Sequence, residues 1–318
     1  MVAGIGRVML EVLAVVVPLY LLIVAGLLAG RSGVFRGADA SLNSFVYWFA
    51  LPAFLFDSIV NAPSGASLPQ SFFVVAFGVT FLFSALVYLG ARLMKLRSVA
   101  GQLSISAGYG NVAYFAYPVI LSVVGPEATL AMVLGSMAHN LVFMIGYPAL
   151  ASAGHADPAR LRQALLKAGP KNPMIVSVVL ATIVYALGWE VPQVLSTPIE
   201  LLSRAVIPVA LFAVGLALGP ALKAFSNGGY SIVGVLIVSI LKLVAFPLLT
   251  WGATRLLVPD PTGTLTAVLV LIAAMPTGVT SFTLSQEFDG DGRIVAAIVA
   301  LSTLLALVTV SAFGVLVV

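Results

Sequence analysis

The chain has 318 residues, 61% of them hydrophobic and only 8% charged, with a mean hydropathy of +1.15 and a formal net charge of +4. A water-soluble domain carries nearer a quarter charged residues, so this composition excludes a soluble globule and predicts an all-α polytopic membrane protein embedded in a lipid bilayer. There is no cysteine and there are two histidines, His139 and His155, so disulfides, thiol chemistry and a multi-histidine metal site are excluded; no metal or cofactor is expected, and the small positive charge does not call for nucleic acid.

Ten stretches are long and apolar enough to cross a bilayer, at about 8–30, 41–61, 71–94, 99–124, 126–152, 172–188, 197–219, 229–255, 262–287 and 291–317. The first is read as a helix and not as a signal peptide, because its apolar run is too long and no small-residue cleavage site precedes the next span. Lysine and arginine set the topology. Arg31, Arg36, Arg92, Lys95, Arg97, Arg160, Arg162, Lys167, Lys171, Lys223 and Arg293 fall on one side, Arg7 and Arg255 on the other, and Arg204 and Lys242 within spans. The richer side is expected to face the cytoplasm, which puts both termini outside the inner membrane, in the periplasm.

The longest loop, 153–171, separates residues 1–152 from 172–318, five spans each. Within it Asp157-Pro158 reads as a cap and first turn, so a short basic surface helix is expected through Lys167. An odd number of spans per half means that a repeat must be inverted. Two echoes support one: Leu51-Pro52-Ala53-Phe54-Leu55-Phe56 in span two against Ile207-Pro208-Val209-Ala210-Leu211-Phe212 in span seven, and Gly90-Ala91-Arg92-Leu93 ending span three against Gly252-Ala253-Thr254-Arg255-Leu256 ending span eight.

Spans four and nine contain residues that a plain spanning helix avoids. Span four holds Ala107-Gly108-Tyr109-Gly110-Asn111-Val112-Ala113-Tyr114-Phe115-Ala116-Tyr117-Pro118, and span nine holds Ala274-Met275-Pro276-Thr277-Gly278-Val279-Thr280-Ser281. Proline removes a backbone donor and clashes with the preceding turn, so both helices are predicted to break. Backbone groups left unpaired in hydrocarbon cost several kcal/mol each, so the breaks must be buried in protein or line a watery cavity. Interrupted segments at matching places in two halves point to a transport site.

These motifs resemble the auxin efflux carrier family, which includes bacterial transporters of small dicarboxylates. The likeness rests on Gly110-Asn111 followed by Tyr117-Pro118, on Ala274 to Val279 with Phe282, Leu284 and Gln286-Glu287-Phe288, and on Asn172-Pro173 opening span six; it covers all ten spans. It departs at Thr280, where bacterial relatives often carry asparagine, and at Ser281, where plant members carry a second proline. The resemblance implies a scaffold of spans 1, 2, 6 and 7, a mobile transport domain of spans 3–5 and 8–10, and crossing helices 4 and 9. It further implies a substrate site at Gly110, Asn111, Tyr117, Pro118, Pro276, Thr277, Gly278, Thr280 and Ser281, for a small organic anion moved by elevator-type alternating access. Half-helix N-termini with exposed amides suit a carboxylate. Tyr109, Tyr114, Phe115 and Tyr117 are expected to crowd one wall of the pocket.

Charges at membrane depth are functional candidates. Lys242, in mid-span eight, is read as compensating a substrate carboxylate, carrying a coupled proton, or tying unwound carbonyls together. Asp57 and His139 are weaker coupling candidates, with packing as the bland reading of His139. Glu200 and Arg204 are expected to form an i,i+4 pair. Spans four and nine hold no mid-span acid, so uniport or proton coupling is favoured over sodium. Spans two and seven are expected to build a two-fold homodimer. An intramembrane enzyme is the rival class, with Glu287 and Asp289-Gly290-Asp291 as its acidic cluster. Those residues read better as caps of a short turn, and no catalytic motif accompanies them. A channel or receptor for a small carboxylate is the other alternative.

Overall fold

Prolines and glycines punctuate an otherwise continuous set of helices. The computed structural model describes residues 2–35, 37–61, 68–152, 171–226, 231–259, 263–287 and 292–317. Its helices are α1 (Val2–Ala29), α2 (Ala38–Phe45), α3 (Leu51–Val60), α4 (Gln70–Leu93), α5 (Ala100–Gly108), α6 (Tyr117–Val123), α7 (Thr129–Ser152), α8 (Pro173–Ala186), α9 (Gln193–Ser226), α10 (Ile232–Ile240), α11 (Phe246–Leu257), α12 (Thr264–Ala274), α13 (Val279–Glu287) and α14 (Gly292–Val317). Among the described residues six helical stretches are long and apolar enough to cross a membrane: Ala38–Val60, Gln70–Leu93, Pro126–Tyr147, Gln193–Pro220, Ile232–Leu257 and Gly292–Val317. The basic helix expected in 157–167, His155 and the Asp289–Asp291 turn lie outside the described residues.

Three of the joins are π turns, which the sequence pattern does not announce. Val46–Ala50 links α2 to α3, Val112–Ala116 leads into α6, and Leu241–Ala245 links α10 to α11. Each is followed two residues later by a proline: Pro52, Pro118 and Pro247. A proline cannot donate to the carbonyl four residues back and its ring crowds that carbonyl; widening the preceding turn relieves the clash without ending the helix. Leu51 and Phe246, directly before two of these prolines, accordingly bond five residues back, to Val46 and Leu241. Pro208, the counterpart of Pro52 in the sequence echo, lies inside unbroken α9, which also contains Pro198 and Pro220 and runs well beyond the expected 197–219.

Capping follows the sequence more closely. The Asn172 side chain accepts the Met174 amide at 3.0 Å with Pro173 as the first helical residue of α8, and Ser231 accepts the Gly234 amide to open α10. The Glu200–Arg204 pair is present on α9.

The helices pack as two groups. α9 packs against α1, α2 and α3, and α3 against α8; α4, α5, α7, α11 and α12 form the second group, and α14 touches α12 as well as α1 and α9. α1 and α9 approach backbone to backbone, because Gly26 and Gly215 leave no side chain between them: a Cβ at Gly26 would overlap the Phe212 carbonyl oxygen, and one at Gly215 the Ile23 carbonyl oxygen. Buried hydroxyls are largely absorbed by their own helices, as Ser84 on Thr80, Thr250 on Phe246 and Thr303 on Val299 show.

Candidate functional site

Both predicted breaks are present, and they meet. α5 ends at Gly108 and α12 at Ala274; the extended residues that follow cross, and Gly110 and Thr277 pair as an isolated antiparallel β-bridge. The Asn111 amide donates to the Pro276 carbonyl at 2.7 Å, and the Gly278 amide donates to the Tyr109 carbonyl at 2.9 Å. The approach is close enough to favour glycine at both positions. A Cβ at Gly278 would lie 3.0 Å from the Gly110 carbonyl oxygen, and one at Gly110 would lie 3.3 Å from that of Ile272.

A break frees backbone groups, and each freed group can be followed to its partner. In an unbroken helix the Gly110 amide would donate to the Ser106 carbonyl, and the Thr277 amide to the Ala273 carbonyl. Here the Gly110 amide donates to His139 Nε2 on α7 at 2.9 Å, while the Ser106 carbonyl accepts the Thr277 hydroxyl at 2.8 Å. The Thr277 amide donates to Ser302 Oγ on α14 at 3.1 Å, and the Ala273 carbonyl accepts Lys242 Nζ at 2.7 Å. Four side chains from four parts of the chain thus replace two helical hydrogen bonds. All four are buried to within 1% of complete.

Lys242 is placed at the C-terminal end of α12, where the carbonyl dipoles are negative, and its ammonium also lies 4.6 Å from the centroid of the Phe246 ring. His139 lies between Tyr109, Phe143 and Phe246. Its neighbour Asn140 accepts the Tyr109 hydroxyl at 2.9 Å, and the Tyr109 ring stacks on Phe143 with centroids 4.8 Å apart. Consecutive residues of α7 therefore hold consecutive residues of the first break.

The sequence-predicted residues divide into three groups. Gly110, Asn111, Pro276, Thr277, Gly278, Lys242 and His139 come together at the crossing. Asn111 is buried and precedes the π turn, but its side chain does not cap the helix that follows; Ser281 is buried and donates to the Gly278 carbonyl, while Thr280 is half-buried. Tyr117 and Pro118 lie beyond the π turn, with the Tyr117 ring edge-on to Phe54 of α3 at 4.8 Å; Phe115 meets Tyr20 of α1 in the same way at 5.5 Å. Nothing is described of the Tyr114 side chain. Asp57 is not at the crossing: Asn61 donates to it at 2.9 Å, and it lines a separate cavity of about 570 Å³ with Glu190 and Tyr185.

A cavity of about 400 Å³ lies between Val214 and Leu218 of α9, Val279 and Phe282 of α13, and Ala296 and Val299 of α14, with Asp39 and Arg293 also in its lining. It touches the first residue of α13, the half-helix that begins at the second break. The aromatic wall expected from Tyr109, Phe115 and Tyr117 is engaged elsewhere. Ser106 and Ser302, which the sequence does not single out, have no local signature: each matters through its bond to Thr277 at the second break.

Comparison with known proteins adds the family. The model described as "Membrane transport protein" matches residues 11–156 and 155–313. A Rhizobium meliloti (strain 1021) protein named "Putative malonate transporter" is 28% identical over 312 residues, covering 95% of each chain. Auxin efflux carrier component 8 of Arabidopsis thaliana is 26% identical over 360 residues, covering 95% of this chain and 96% of its own. An uncharacterized transporter of Methanothermobacter thermautotrophicus is 26% identical over 304 residues, covering 94% and 96%. The chain belongs to the membrane transport protein family, that of the auxin efflux carriers, and is a membrane transporter and not an enzyme.

Proposed function

We propose that the protein is an alternating-access carrier of a small organic anion, a mono- or dicarboxylate of about the size of malonate. The observation that carries this reading is the crossing itself: two broken helices joined at Gly110 and Thr277, with the 400 Å³ cavity ending at the first residue of α13. A helix beginning inside the membrane presents unpaired amides and the positive end of its dipole, which favour a carboxylate without a fixed cation. Asn111 and Thr280 are the neutral side chains closest in sequence to the two half-helix starts. The relative named for malonate supplies the chemical class of the probe.

The same reading takes the chain as ten spans in two inverted repeats of five, the fourth and ninth broken. α1–α3, α8 and α9 form the scaffold, paired in a homodimer, and the remaining helices form the part that moves as an elevator. The aromatic contacts Phe54–Tyr117 and Tyr20–Phe115 lie on the boundary between these parts and must be remade in a transport cycle. With the arginine-rich side cytoplasmic, both termini lie in the periplasm and the 400 Å³ cavity opens inward. A proton is the favoured coupling ion if one is used.

The test is counterflow in proteoliposomes. Vesicles preloaded with malonate should accumulate labelled malonate in a saturable manner. No exchange of malonate or of any acid in a panel of mono- and dicarboxylates overturns the reading, and unitary current steps in a planar bilayer replace it with a channel.

A further inference from the structure

His139 has a second nitrogen that the crossing does not use. The Gly110 amide can only donate, so Nε2, at 2.9 Å, accepts and carries no proton. In the neutral ring the proton is then on Nδ1, a donor. That atom is fully buried and meets no acceptor among the described residues. Leaving a buried donor unpaired is costly, and such donors in folded proteins are commonly completed by ordered water.

Space for a water exists beside the ring. His139 lines a small cavity of about 10 Å³ with Thr80 of α4, Thr250 of α11 and Ala273 of α12, the rest of its wall being apolar. About 10–15 Å³ of this kind of volume accommodates one water, which needs two to four polar partners. The polar groups available are His139 Nδ1–H, the hydroxyls of Thr80 and Thr250, and the Ala273 carbonyl. The Ala273 carbonyl is the acceptor of Lys242, and a carbonyl oxygen has a second lone pair.

We infer that this cavity is a water site, and that His139 is a positioning residue for the crossing. Locked in the Nδ1–H tautomer by one buried water, it holds the Gly110 amide and, through that water, links the first break to Ala273 at the second. Thr80 and Thr250 supply the hydroxyls of its wall.

The chain has only two histidines, which makes a direct test practical. With His155→Gln in protein labelled with ¹⁵N-histidine and reconstituted in lipid, a single imidazole is read. The expected spectrum has a protonated Nδ1, an unprotonated Nε2 acting as acceptor, and a cross-peak from Nδ1–H to water. In the Thr80→Val/Thr250→Val double variant the water cross-peak should be lost. A proton on Nε2, or an Nδ1–H with no water contact in the parent, overturns the inference. A second measurement covers function: His139→Gln, which retains an acceptor for Gly110, should keep at least about threefold more malonate counterflow than His139→Leu. Equal activity of the two variants also overturns it. This arm rests on the carrier reading; if the parent itself does not exchange malonate, that reading fails and the spectra still decide the water site.

Discussion

Gly110 and Thr277, about half the chain apart in sequence, pair backbone to backbone, and each is the residue whose amide lost its helical partner at its own break. Because Thr277 also donates its hydroxyl to the Ser106 carbonyl, the second break repairs the first. Thr277→Val keeps the shape and removes that donor. The expected result is a loss of about 1–3 kcal/mol of stability, the usual cost of an unpaired buried acceptor, read as a lower melting temperature in detergent. Ser302→Ala should act in the same direction from the other side. A Thr277→Val protein as stable as its parent would show that the Ser106 carbonyl finds another donor.

Lys242 is the other repair. Its ammonium sits on the Ala273 carbonyl and the Phe246 ring, and it does not line the 400 Å³ cavity. Of the three roles open to it, tying an unwound carbonyl at the negative end of α12 fits this geometry best. Lys242→Met should lower stability by about 1–3 kcal/mol and leave the affinity for malonate unchanged. A methionine variant that melts like the parent but binds malonate weakly would move Lys242 to the substrate. One that still exchanges malonate but no longer responds to a pH gradient would make it the proton carrier.

The glycines give a prediction with two signs. Gly26→Ala and Gly215→Ala each force α1 and α9 apart against backbone atoms, and overpacking of this kind costs about 1–3 kcal/mol or more. At Gly78 on α4 and Gly252 on α11, a Cβ would meet nothing within 4 Å. There the helical preference of alanine prevails, and each Gly→Ala change should stabilise by about 0.5–1 kcal/mol. Thermal melts of the four variants check both signs; a stabilised Gly26→Ala would mean that the two helices do not meet as closely as described.

The breaks were legible because proline and glycine act locally: Gly108, Gly110, Pro276 and Gly278 interrupt apolar runs in which nothing else would place them. The pair Glu200–Arg204 was legible for the same reason, its two members being within one turn. What the sequence could not show is where freed groups find partners far along the chain. Ser106 and Ser302 are ordinary residues of their own helices, and each acquires its role from a segment at least 25 residues away; Lys242 stood out as a charge at membrane depth, and only its partner, the Ala273 carbonyl, was hidden. The π turns lie between these cases. A proline inside an apolar span was a visible signal at Pro52, Pro118 and Pro247, but Pro208 has the same signal in a continuous helix, so neighbouring packing decides which turn widens.

Asn111 separates backbone duty from substrate duty at one position. Its amide is committed to the Pro276 carbonyl and its own carbonyl accepts Phe115 and Ala116, at 3.0 and 3.2 Å. Those bonds belong to the backbone and survive a change of side chain. The side chain does not cap the following half-helix, and the carrier reading proposed above assigns its amide group to the anion. Asn111→Ala should therefore leave the melting temperature near that of the parent and weaken malonate binding by about 1–3 kcal/mol, roughly 5- to 150-fold, as expected when a buried carboxylate loses a donor. Asn111→Asp should be worse than alanine, since a second negative charge then faces the carboxylate. Binding measured in detergent by titration calorimetry reads both variants without a transport assay, and an alanine variant that binds malonate like the parent removes Asn111 from the site.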